Sequence, residues 1–121
     1  MDVTLNGRRV LVVEDEFLIA IDLCHTLGKQ GARVVGPIPS VEDALRLLDS
    51  LGQLDVAVLD VNLNGQAVFP LAEKLAERRV PYIFTTGYDK LGLPERYRRI
   101  PMCSKPVQIE TIVETVRQQI Q

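Results

Sequence analysis

Residues 10–16 read VLVVEDE, four aliphatic side chains followed by three acids. The aliphatic run suits a strand, and its abrupt end in carboxylates puts charge where the strand stops. Four further runs have the same character: RVVG (33–36), VAVLD (56–60), YIFTT (82–86) and IPMCS (100–104). Between them apolar residues recur at helical spacing. Phe17, Ala20, Ile21, Cys24 and Leu27 form one face, Val41, Ala44, Leu45 and Leu48 a second, and Val68, Leu71, Ala72 and Leu75 a third. The last helix carries Ile109, Ile112, Val113, Val116 and Ile120, with Pro106 near its first turn. Ser40 with Asp43 resembles a capping box. Over residues 87–99, Gly92 and Pro94 disfavour a helix interior, so the fourth helix should be short, shifted or mobile.

Five βα units in this order predict an α/β fold, a flavodoxin-like (βα)5 doubly wound parallel sheet with strand order 2-1-3-4-5. That order sets the topological switch between strands 1 and 3, where ligands bind outside the carboxyl ends of the strands. With 121 residues, 46% of them hydrophobic, the chain can fill one core, and residues 1–121 read as a single domain with no output domain. The formal net charge of -2 argues against a protein that wraps nucleic acid or lies on an anionic membrane. No apolar run approaches the roughly 18 residues of a membrane span, and MDVTLNGRRV lacks the apolar stretch of a signal peptide, so a cytoplasmic setting is expected. Cys24 and Cys103 have no metal-type spacing and read as buried, reduced thiols. His25, the only histidine, reads as solvated.

The strand ends bring together Glu14 and Asp15 from strand 1, Asp60 from strand 3, Thr86 from strand 4 and Lys105, followed by Pro106, from strand 5. Three converging carboxylates repel one another, which calls for a recruited cation or a retained proton. With no Cys or His ligand on offer, a hard, oxygen-preferring ion such as Mg²⁺ fits best. Asp15, Asp60 and the backbone carbonyl of Asn62 would hold it, with Glu14 acting mainly through a water. One Asp60 oxygen then stays free to attack phosphorus. The equatorial oxygens of a transferred phosphoryl group need neutralising, and Mg²⁺, the Lys105 ammonium and the Thr86 hydroxyl would do so from different sides. Hydroxyls at 85 and 86 also suit an ordinary turn, since Gly87 permits positive φ.

The EDE at 14–16, VLDVN at 58–62, TTG at 85–87 and KP at 105–106 closely resemble the receiver domain of bacterial two-component response regulators, over nearly the whole chain. Asp60 lies midway in the sequence between Asp15 and Lys105, as that resemblance requires. It implies that Asp60 accepts phosphate from a phosphohistidine on a histidine kinase or phosphotransferase, and that catalysis extends only to the domain's own phosphorylation and dephosphorylation. Thr86 would match the switch hydroxyl and carry the signal toward the surface of the fourth helix, fifth strand and fifth helix. PYIFTTGY and DVNLNG further resemble the receiver subgroup called FATGUY, often free-standing, with Thr85 in place of its alanine. Met102 departs from the family, which usually has an aromatic three residues before the lysine; Tyr88, at the rim, could couple to Thr86 instead.

Other readings fit less well. A receiver-like interaction module without phosphorylation would not need these five side chains. A dehalogenase-like phosphatase expects a second aspartate two residues after the nucleophile, where Asn62 stands. An FMN site expects a phosphate-cradling loop where EDE repels anions. Lys90, Arg96, Arg98 and Arg99 form a basic stretch beside the expected output surface and suggest an acidic partner protein; direct DNA binding is not expected, since no recognition helix flanks the domain.

Overall fold

The computed structural model describes residues 4–87 and 92–120. Among the described residues, seven strands and four α-helices follow in the order β1 (Arg9–Val13), α1 (Phe17–Lys29), β2 (Arg33–Ile38), α2 (Val41–Ser50), β3 (Val56–Asp60), β4 (Asn62–Leu63), β5 (Gln66–Ala67), α3 (Phe69–Glu77), β6 (Tyr82–Thr86), β7 (Met102–Ser104) and α4 (Ile109–Gln118). The main sheet is parallel, in the order β2-β1-β3-β6-β7. This is the expected flavodoxin-like order, with a small β4-β5 hairpin inserted after the third strand.

β3 and β6 are buried along their whole length, and alternate side chains feed two separate cores. Leu11, Val13, Ala57, Leu59 and Phe84 pack with α2 and α3 residues such as Ala44, Leu48, Leu71 and Leu75. Val10, Val12, Val56, Val58 and Ile83 pack with Leu23 and Leu27 of α1 and with Ile112, Val113 and Val116 of α4. This period-two division also decides which strand-end side chains meet above the α1 and α4 side, because Glu14 and Asp60 continue the alternation from Val12 and Val58.

Most helix faces lie where the sequence sets them. The Ser40 hydroxyl accepts the Asp43 N–H at 3.2 Å, capping α2. α4 starts at Ile109 with Gln108 as its N-cap, three residues later than Pro106. The face of α1 differs. Ala20, Leu23 and Leu27 are its buried residues, whereas Phe17, Leu18 and Ile21 are 72%, 82% and 47% exposed. The first turns of α1 stand at the rim of the strand ends, where the sheet has no further surface to cover them, so the buried stripe begins at Ala20 and passes through Leu23.

The hairpin is an addition to the five βα units, and Asn64-Gly65 between Leu63 and Gln66 is its two-residue turn signal. Asn64 and Gly65 have φ of 52° and 87°, the left-handed pair that such a turn demands. Part of the segment expected to hold the fourth helix, residues 88–91, lies outside the described residues. Among its described residues a 3-10 turn, Glu95–Tyr97, is anchored by a ring and not by a helical stripe. Tyr97 stacks on Phe69 at 4.6 Å between centroids and meets Phe84 edge-on at 5.8 Å.

Candidate functional site

Parallel strands end side by side, so β1, β3, β6 and β7 deliver their next residues to one edge. One oxygen from each of Glu14, Asp15 and Asp60 lies within 4.8 Å of the others. Lys105, just past β7, reaches across them: its Nζ is 2.9 Å from Asp60 Oδ2, 3.1 Å from Glu14 Oε1 and 2.9 Å from Glu16 Oε1. The pocket above them has a volume of about 490 Å³ and is lined by Glu16, Ile19, Asp60, Asn62, Gly87 and Lys105.

The electrostatics follow from burial. Glu14 is 3% exposed, and desolvation, reinforced by the Asp60 carboxylate beside it, pushes its pKa up to about 8. Burial alone would lower the pKa of Lys105, but hydrogen bonds to Glu16 and Asp60 and the charges of Asp60 and Glu14 reverse that and raise it. The lysine is thus held charged among acids, and the most buried acid tends to keep its proton.

Backbone N–H groups hold two of the remaining carboxylate oxygens, and one is left over. Asp60 Oδ1 accepts the Asn62 N–H at 3.1 Å, and Asp15 Oδ2 accepts the Asn64 N–H at 2.9 Å, which ties the hairpin to the site. Asp15 Oδ1 is buried with no hydrogen-bond partner among the described residues. An unpartnered carboxylate oxygen beside two more carboxylates suits a hard divalent cation, since such ions take oxygen ligands and need few of them. Asn62 stands at the same edge; its side-chain oxygen accepts the Gly65 N–H at 2.8 Å, which stabilises the turn.

The two threonines divide between the faces of β6. Thr86 is 1% exposed at the end of the strand, and its carbonyl accepts the Lys105 N–H at 2.7 Å, so backbone pairing fixes the lysine relative to the hydroxyl. Thr85 pairs in register with Asp60 and Cys103, and its Oγ1 is buried without a partner among the described residues. Leaving such a hydroxyl unsatisfied costs about 1–3 kcal/mol. Thr85→Val, which keeps the shape, is therefore expected to raise stability by about 1 kcal/mol in urea unfolding. A loss of stability instead would mean that the hydroxyl has a partner.

Met102 lies opposite Phe84, half-buried against the α2 and α3 core. Tyr88 and Lys90 fall outside the described residues. Arg96 bridges Glu73 at 2.9 Å and sits 4.9 Å from the Tyr97 ring centroid, while Arg98 donates to the Leu93 carbonyl. Arg99 is exposed. Cys24 and Cys103 are free thiols, half-buried and buried respectively, burial pushing the Cys24 thiol up to about 11, and His25 is exposed. Glu16 joins the site as well; its one signal in the sequence is its position as a third acid immediately after the pair that ends strand 1.

Comparison with known proteins adds to this geometry. SdrG from Sphingomonas melonis Fr1 has a solution structure that superposes with a TM-score of 0.80 and 34% identity, covering 95% of this chain and 98% of that one. The receiver domain of the hybrid histidine kinase CckA superposes with a TM-score of 0.76 and 28% identity over 93% of this chain and 99% of its own. The chain belongs to the response-regulator receiver family. Among curated proteins, this receiver is 29% identical over 113 residues to the transcriptional regulatory protein PdtaR of Mycobacterium tuberculosis, matching 90% of the chain but only 55% of PdtaR. It therefore spans about half the length of that relative. No protein-family model matches the sequence. Among the described residues of the receiver, no helix is long and apolar enough to cross a membrane.

Proposed function

We propose that this receiver is a Mg²⁺-dependent phosphoacceptor of a two-component phosphorelay, in which Asp60 takes a phosphoryl group from a phosphohistidine and the domain signals by protein contact. The observation that carries the reading is the meeting of Glu14, Asp15 and Asp60 oxygens within 4.8 Å, with the Lys105 ammonium 2.9 Å from the proposed nucleophile.

Asp15, Asp60 and the Asn62 carbonyl would hold the ion, with Glu14 acting through a water. When bound, Mg²⁺ supplies positive charge to the phosphoryl oxygens. The chain's own groups do the rest. Asp60 is oriented by the Asn62 N–H at one oxygen and by Lys105 at the other, and each oxygen keeps a second lone pair. As an Asp60 oxygen bonds to phosphorus, the P–N bond to the donor imidazole breaks and its electron pair leaves on nitrogen. Lys105 then follows the growing negative charge, and the Thr86 hydroxyl offers a further donor. Turning Thr86 toward the phosphoryl group would carry the signal along β6 toward Met102, Tyr88 and the basic surface of Arg96, Arg98, Arg99 and Lys90.

A histidine kinase or phosphotransferase of the cytoplasm is the donor we infer. The exposed Phe17, Leu18 and Ile21 beside the pocket rim favour a protein that lands on α1. DVNLNG and FTTGY support the FATGUY subgroup.

Incubation with acetyl phosphate tests the reading: phosphoprotein forms with Mg²⁺ and not after chelation. Phosphorylation unaffected by chelation would contradict it. Cation binding must also displace the Glu14 proton. The pKa of Glu14 is raised from 4.5 to about 8, so protonation stabilises the fold fully below 4.5, and that contribution is lost as pH rises through about 8. Mg²⁺ affinity is expected to move the other way, climbing up to about tenfold per pH unit in this window. Titration calorimetry at several pH values checks it, and a flat profile would show that Glu14 is already ionised.

A further inference from the structure

The Lys105 ammonium has three N–H donors, and all three are engaged. One goes to Asp60 Oδ2 at 2.9 Å, one to the Glu14 carboxylate at 3.1–3.3 Å and one to Glu16 Oε1 at 2.9 Å. A phosphoryl oxygen arriving beside Asp60 finds no free N–H on the lysine, so one carboxylate has to let go.

The three acids are not equally free to do so. Asp60 is the attacking group and is fixed at its other oxygen by the Asn62 N–H. The Glu14 side chain is 2% exposed and its Oε2 also accepts the Glu16 N–H at 3.1 Å, so releasing Lys105 would strand it in the protein interior. The Glu16 side chain is 55% exposed and, among the described residues, touches no donor but Lys105. Water can take over that bond at little cost. Its backbone stays put, because the Glu16 N–H is held by Glu14 and its carbonyl accepts the Ala20 N–H at 2.9 Å at the start of α1. Only a side-chain rotation is needed.

We propose that Glu16 is a displaceable latch on Lys105: it occupies the third N–H of the lysine until a phosphoryl group arrives, and sets how readily Lys105 can grip that group. Glu16 is a positioning residue in this scheme, acting on phosphorus only through the lysine. The inference rests on Asp60 being the phosphoacceptor.

The test compares wild type, Glu16→Gln and Glu16→Asp by the rate of phosphorylation from acetyl phosphate with Mg²⁺, and by the NMR signals of the Lys105 side chain. Gln keeps the length but loses the charge that strengthens the bond; Asp keeps the charge but is one methylene too short for the same contact. Both variants are expected to phosphorylate about threefold to tenfold faster than wild type and to shift the Lys105 signals before any phosphate is added. If Asp behaves as wild type while Gln is faster, the charge of Glu16 merely repels the anionic donor and the latch is wrong. Wild-type rates and unshifted Lys105 signals in both variants also overturn it. If the wild type itself takes up no phosphate, the phosphoacceptor reading fails first and the latch falls with it.

Discussion

Asp60→Asn is expected to take up no phosphoryl group from a cognate kinase or from acetyl phosphate, while still folding, with a stability close to that of the wild type. The amide keeps the size of the carboxylate but has no anionic oxygen to attack phosphorus, and it can accept from only one of the two donors, the Asn62 N–H and the Lys105 ammonium, that the carboxylate satisfies. The lost contact to Lys105 is offset by removing a negative charge from beside Glu14, whose pKa is raised by burial first and by the Asp60 carboxylate second. The Glu14 pKa should fall accordingly. Phosphorylation assays with thermal unfolding on the same samples check both halves. Uptake at the wild-type level would move the nucleophile elsewhere.

Lys105→Met should separate three properties that misfolding would move together. Methionine fills the space but removes the cation shared by Glu14, Glu16 and Asp60. Breaking a buried ion pair leaves charge uncompensated and costs about 3 kcal/mol or more, less at low pH where the acids can protonate. Mg²⁺ affinity should rise, by about tenfold or more, because a positive charge next to the ion is gone. Phosphorylation should nevertheless slow by about 10²–10³-fold, the usual cost of losing one charged donor aimed at the developing charge. Lower stability with tighter Mg²⁺ binding and slower phosphorylation is the expected set. Parallel loss of all three would point to a collapsed site.

Much of this was legible because strand ends are easy to read. An apolar run such as VAVLD marks where it stops, and parallel topology then brings every stop to one edge, so Glu14, Asp15, Asp60, Thr86 and Lys105 could be grouped before any coordinate was known. Periodicity was weaker at the rim. On α1 it included Phe17 and Ile21, which are exposed, and passed over Leu23, which is buried, because spacing says which residues share a face but not where the covering layer ends. The Asn64-Gly65 hairpin is legible as a turn dipeptide, but strands of two residues each are too short to show any alternation of their own. Tyr97 could not be found at all. Its place between Phe69 and Phe84 depends on how a short 3-10 turn packs, and no local pattern encodes that. Nor does spacing reveal that Glu16 reaches Lys105, since the two meet only once β1 and β7 are set in one sheet.

Phosphoacceptor function comes down to one bond, between an oxygen of Asp60 and phosphorus. Its most direct test is to phosphorylate the protein with acetyl phosphate and Mg²⁺, reduce the acyl phosphate with borohydride and map the product by tandem mass spectrometry. The account predicts homoserine at position 60 and unmodified aspartate at position 15. Reduction product at another carboxylate, or a phosphate that survives acid on a hydroxyl such as that of Thr86, would contradict it.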